Sequence, residues 1–133
     1  MKPSLSADAV RVVLDRPNGR YLPGEAIEVV ATIDAEAAPL VAAAEVSLLW
    51  YTAGKGDEDL HVHAMQRVRG PLTAETRRLT LESPLPMSPH SYAGHVVKVC
   101  WCVRVRLFDG RRRQTVVETP LVVGVTSKPA GAA

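Results

Sequence analysis

Two short runs in this chain carry side chains that could hold a metal. His61-Val62-His63 and Cys100-Trp101-Cys102 each place a pair of ligand-type residues two positions apart. On an extended strand such residues project to the same side. If the two strands were neighbours, two imidazoles and two thiolates could close a tetrahedral zinc site. The spacing differs from the Cys-x-x-Cys of zinc knuckles. The bland alternative is two histidines facing solvent and two small thiols on a partly covered sheet face.

Two further segments could recognise a partner. In the loop Trp50–Asp59, Gly54-Lys55-Gly56 is of the kind whose backbone amides face a phosphate. It lacks the P-loop spacing, no helix follows, and Asp57, Glu58 and Asp59 would repel an anion. Lys55, Asp57, Glu58 and Asp59 are instead expected at a solvated hairpin tip open to a protein contact. Arg111-Arg112-Arg113, with Arg104 and Arg106, could form a basic patch for acidic protein or a peripheral anionic surface. Interleaved aromatics, which single-strand nucleic-acid binding would need, are missing. No Ser/His/Asp or Cys/His arrangement can be assembled, and the carboxylates gather in loops, away from where acid–base chemistry could position them. The expectation is a non-enzyme with no catalytic residue and no cofactor.

Composition narrows the class. The 133 residues suffice for one domain with a real core, and 47% hydrophobic with 23% charged is ordinary for a globular protein. A net charge of +2 is too small to imply nucleic acid. No apolar run approaches a membrane span, and no secretory leader follows Met1 and Lys2. Two cysteines two residues apart make a poor disulfide. Together these favour the cytoplasm. The Ala, Arg and Val bias suggests a bacterial source.

The elements that must carry these residues are strands. Val97, Val99, Trp101, Val103, Val105 and Leu107 alternate with Lys98, Cys100, Cys102, Arg104 and Arg106, the mark of a half-buried strand in an antiparallel sheet. Val10 to Leu14 and Ile27 to Ile33 read the same way. Val46 to Thr52 is apolar in both phases, so cover on both faces is expected. Over Leu60 to Met65, the alternation puts Leu60, Val62 and Ala64 inward and the histidines outward. Leu79 and Leu81 mark a shorter strand. Val117, Leu121 and Val123 mark the last, where Pro120 points to an edge or a bulge. Pro39 limits the Ala-rich stretch 35–44 to a loop or a single turn. Asp109-Gly110 is a hairpin signal. About seven strands with turns between them predict an all-β antiparallel sandwich over 1–125, of immunoglobulin-like or arrestin-like type, with 126–133 as a flexible tail.

Two segments add a resemblance. Tyr21-Leu22-Pro23-Gly24-Glu25-Ala26-Ile27 is similar to the Y-x-P-G-E-x-[IV] that opens a strand in arrestin-like N-terminal domains. Leu85-Pro86-Met87-Ser88, leading through Gly94 to the Trp101 strand, resembles the L-P-x-S-x-x-G segment of the same domain. The likeness spans roughly 8–124. It departs at Val29, where arrestin-like chains often carry Gly. Full arrestins have two sandwiches and a buried charged cluster, and the bacterial sporulation-control and retromer types also have two sandwiches. This chain has room for one. The resemblance implies an interaction or scaffold module, partnered by a protein or by copies of itself. It does not imply receptor binding or phosphate sensing.

Overall fold

The structure, a computed structural model, describes residues 5–54, 58–94 and 97–124. Among these, nine strands form two sheets: β1 (Val10–Leu14), β2 (Arg20–Tyr21), β3 (Ala26–Ile33), β4 (Ala43–Gly54), β5 (Leu60–Arg69), β6 (Arg78–Pro84), β7 (Tyr92–Ala93), β8 (Val97–Phe108) and β9 (Gln114–Val123). Seven have five residues or more, matching the number read from the sequence. The 35–44 stretch makes one 3-10 turn, Ala38–Leu40, with Pro39 inside it. No helix among the described residues is long and apolar enough to cross a membrane.

The smaller sheet runs β1-β3-β6, all antiparallel. The larger runs β2-β9-β8-β4-β5, with β7 beside the start of β8. Only the short β2–β9 contact is parallel. β4 sits centrally, paired along its whole length with β8 and over most of it with β5. As its two apolar phases predict, it is buried on both faces through Leu49. The core lies between the sheets. Ile27, Val29, Ala31 and Ile33 of β3 and Leu79 and Leu81 of β6 meet Val46 and Leu48 of β4, and Trp101, Val103, Val105 and Leu107 of β8. These are the residues that the two-residue period places inward.

Both resembling segments turn out to bind each other. Gly24 sits at φ 84°, in the left-handed region open to glycine, and its N–H donates to the Leu85 carbonyl at 3.2 Å. The Leu85 N–H returns the bond to the Glu25 carbonyl at 2.8 Å. Leu85 is buried, and downstream the Trp101 indole N–H donates to the Pro89 carbonyl at 2.9 Å. The first segment also fastens the β1–β2 loop. The buried Tyr21 hydroxyl donates to Asp15 Oδ1 at 2.6 Å, and the same oxygen accepts the Glu28 N–H of β3. Arg16 grips Glu25 with both terminal nitrogens, at 2.9 and 2.5 Å, while Glu25 Oε1 also accepts the Leu22 N–H at 2.7 Å. One cluster thus joins β2 of the larger sheet to β3 of the smaller. These residues close the sandwich and are occupied with one another.

Two outcomes follow from this cluster. Tyr21→Phe removes the donor to Asp15 and strands the Arg16 N–H, so it should lower stability by about 2 kcal/mol, read as a urea midpoint shift at unchanged slope. Hydrogen bonding from Arg16, and next from the Leu22 N–H, holds the Glu25 carboxyl down at about 2 against its ordinary 4.5. A depressed folded pKa gives stability that is complete above the unfolded value and disappears as pH falls toward the folded one. Glu25 should therefore lose its contribution between about 4.5 and about 2. Urea midpoints of Glu25→Gln should decline less over that interval than those of the wild type.

Candidate functional site

The outer face of the larger sheet can be read rung by rung from the strand register, because directly paired residues point to the same side. Across β5, β4, β8 and β9 the outward rows are Arg69–Ala43–Phe108–Gln114, Arg67–Glu45–Arg106–Val116, Met65–Ser47–Arg104–Glu118 and Val62–Leu49–Cys102–Pro120. A last row, Leu60–Tyr51–Cys100, lies past the end of the β8–β9 pairing. The face therefore has a charged half and an apolar half.

In the charged half every ion except Arg69 has an opposite charge beside it among the described residues. Glu45, buried at the sheet centre, pairs with Arg67 Nη1 and lies 3.7 Å from Arg106 Nη1. Both guanidinium groups cover the Phe108 ring, at 5.3 and 5.1 Å from its centroid, so each arginine is held by charge and by stacking. Arg104 binds Glu118 with Nε at 2.8 Å and Nη2 at 2.7 Å, and Arg106 also donates to the Gln114 amide oxygen. Arg104 and Arg106 thus have carboxylate partners and do not extend a free basic patch.

The apolar half is uneven in depth. Leu49 is 1% exposed and Cys102 4%, but Leu60, Val62 and Met65 on β5 are 47%, 52% and 51% exposed. Burial, with Glu118 close by, pushes the Cys102 thiol up to about 12. Burial first, and then the neighbouring Cys100, raises the Tyr51 phenol. Neither group is set up as a nucleophile at neutral pH.

The conditional metal constellation is not assembled, and the expected facing of β5 is reversed ahead of the bulge, over residues 60–63, while Ala64 faces the core as expected. β4 runs between β5 and β8, so the histidine and cysteine strands are not neighbours. The pairs also lie on opposite faces. His61 pairs with Trp50, which pairs with Trp101, so His61 is on the core side, stacked on Trp50 at 4.6 Å. His63 meets the edge of Trp101, and its Nε2 lies 2.7 Å from the Pro84 carbonyl of β6. Cys100 and Cys102 point outward. A register shift between Leu48 and Leu49 leaves His63 as an extra residue on β5, and this bulge exchanges the faces of the two halves of the strand. Among the described residues, no group of three or more His, Cys, Asp or Glu side chains is placed to hold a metal.

The proposed contact loops lie at opposite ends of the larger sheet, separated by the length of β8, roughly 35 Å. Lys55 and Asp57 lie outside the described residues, as does the tail 126–133. Glu58 is exposed, and the Asp59 N–H is fastened to Thr52 Oγ1 at 2.9 Å. Arg111, Arg112 and Arg113 are exposed on the β8–β9 hairpin, where Asp109 Oδ1 accepts the N–H groups of Arg111 and Arg113. Of the edge and the bulge that Pro120 allowed, the edge is found: from Gln114 to Leu121, β9 has β8 as its only paired strand among the described residues, and an open groove of about 850 Å³ runs between Pro120 and the β1–β2 loop.

The crystal structure of Spo0M, a sporulation control protein from Bacillus subtilis, superposes with a TM-score of 0.56 at 16% identity, over 88% of this chain and 49% of that one. The fold is arrestin-like. No family model and no curated protein matches the sequence. The chain spans about half the length of Spo0M, one arrestin-like sandwich. In that sandwich the two segments resembling arrestin-like domains are the ones that lock together at Gly24 and Leu85.

The arrestin-like sandwich buries its two thiols unequally. Iodoacetamide applied to the folded, reduced protein and followed by mass spectrometry should modify Cys100 and spare Cys102 until the chain is unfolded. Equal rates at the two positions would contradict the burial described here.

Proposed function

We propose that this chain is a non-enzymatic protein-interaction module of arrestin-like type, and that it takes its partner on the apolar half of the larger sheet's outer face. The observation that carries this reading is the row Leu60, Val62 and Met65. These three large apolar side chains stand about half in water on one long strand, beside the buried Leu49. Water gains from their removal, at about 25 cal/mol for each Å² covered. The adjoining ion-paired arginines and glutamates supply a polar rim, the usual surround of an interface core. The likeness to Spo0M, a control protein by its name, supports a regulatory binding role over a catalytic one.

Val62→Asp combined with Met65→Asp tests the face while sparing the core, because both side chains already stand in water. With wild type and variant as baits in extract from the cell of origin, the wild type should retain proteins that the variant loses. Identical retained sets would remove this face as the docking surface.

A further inference from the structure

We propose that two copies of this chain pair edge to edge through β5, antiparallel about a two-fold axis between His63 and Ala64. This deepens the binding reading above by naming its partner, and rests on it because Leu60, Val62 and Met65 carry both.

Among the described residues β5 is the last strand of its sheet, with β4 as its sole paired neighbour. It has ten residues and no proline, and eight of the ten are exposed, so its free side is long and uncovered. Hydrogen bonds at its two ends show which backbone groups are spent on β4. Asp59 gives its carbonyl to the Thr52 N–H at 2.9 Å, and the Gly70 N–H reaches the Ala42 carbonyl at 2.8 Å. Backbone groups alternate in direction along an antiparallel strand. Counting inward from each end, Leu60 and Val62 before the bulge, and Met65, Arg67 and Arg69 after it, point their N–H and C=O groups away from β4. An edge of this kind is a template for a further strand.

The bulge decides how a second copy fits. Because it shifts the phase by one residue, the free groups of one half of β5 meet the free groups of the other half when two copies run antiparallel about His63 and Ala64. In that register Val62 stands opposite the partner's Met65, Leu60 opposite the partner's Arg67, and Glu58 opposite the partner's Arg69. Every pair recurs by the two-fold. The apolar side chains meet at the centre and opposite charges close both ends. A parallel pairing in register would set Glu58 against itself and Arg69 against itself. Among the described residues neither Glu58 nor Arg69 has an ion-pair partner within the chain, so both are available.

The test is charge reversal followed by complementation, with mass measured by sedimentation velocity over a dilution series. The wild type should be a dimer that dissociates on dilution. Glu58→Lys and Arg69→Glu, each alone, should weaken dimerisation by roughly tenfold or more, since each places like charges opposite one another at both ends. Mixing the two variants should restore it, because one copy then carries cations at both positions and the other carries acids. Both side chains are exposed, so the fold should be unaffected, as circular dichroism will show. A wild type that stays monomeric at the highest attainable concentration overturns the proposal, as do variants that dimerise like the wild type or a mixture that does not recover. If the wild type is monomeric while its bait still retains another protein through Val62 and Met65, self-pairing falls and the binding reading stands.

Discussion

β4 is clamped between β8 and β5, and that clamp fixes the face shown by every side chain of consequence. Twelve consecutive rungs join Ala43–Gly54 to Phe108–Val97. Slipping this ladder by one residue would turn Trp101, Val103 and Val105 out to water and drive Arg104 and Arg106 into the core. With the register held, the charged residues are forced into one zone of the outer face. There Glu45, Arg67 and Arg106 must satisfy one another at the sheet centre. A buried carboxylate without those cations would carry a large desolvation penalty.

The second constraint is closure between the sheets. A sandwich of three strands against six has little backbone bonding from one layer to the other, so loops must do the joining. The Tyr21–Glu25 segment and the Leu85–Pro89 segment do this with reciprocal backbone bonds, the Asp15 carboxylate and the indole of Trp101. The side chains that make the sequence resemble an arrestin-like domain are therefore consumed in architecture. Their presence reports the fold and leaves the binding surface to be found elsewhere.

Much of the architecture was legible because burial on one face imposes a two-residue period. β3 and β8 show it directly, β4 declared its cover on both faces, and Pro120 announced an unpaired flank. The first half of β5, up to the bulge, was read inside out for a physical reason. It is mostly exposed on both sides, so no selection for apolar side chains marks an inner face, and its bulge breaks the period midway. The histidine and cysteine pairs failed to meet because strand order is a property of topology: the sequence shows two strands with ligand-type residues, but not that β4 lies between them. The pairing of Glu45 with Arg67 and Arg106 was equally invisible, since it joins three strands whose register only the folded sheet sets. The half-exposed row on β5 had one signal in the sequence, the apolar outward phase of its neighbour β4 at Leu49 and Tyr51.

The exposure of β5 on both faces also bears on how firmly it is held. Strands at the centre of the larger sheet can open only if the core opens. β5 gives up little buried area when it detaches, because eight of its ten residues are exposed and, of its apolar side chains, Ala64 and Val68 are the ones packed against the core cluster. Its amide protons should exchange through local excursions and not through global unfolding. The outermost strand is then the part of the molecule whose order depends most on what lies beside it, and a neighbour that covers it would stiffen the sheet margin as it binds.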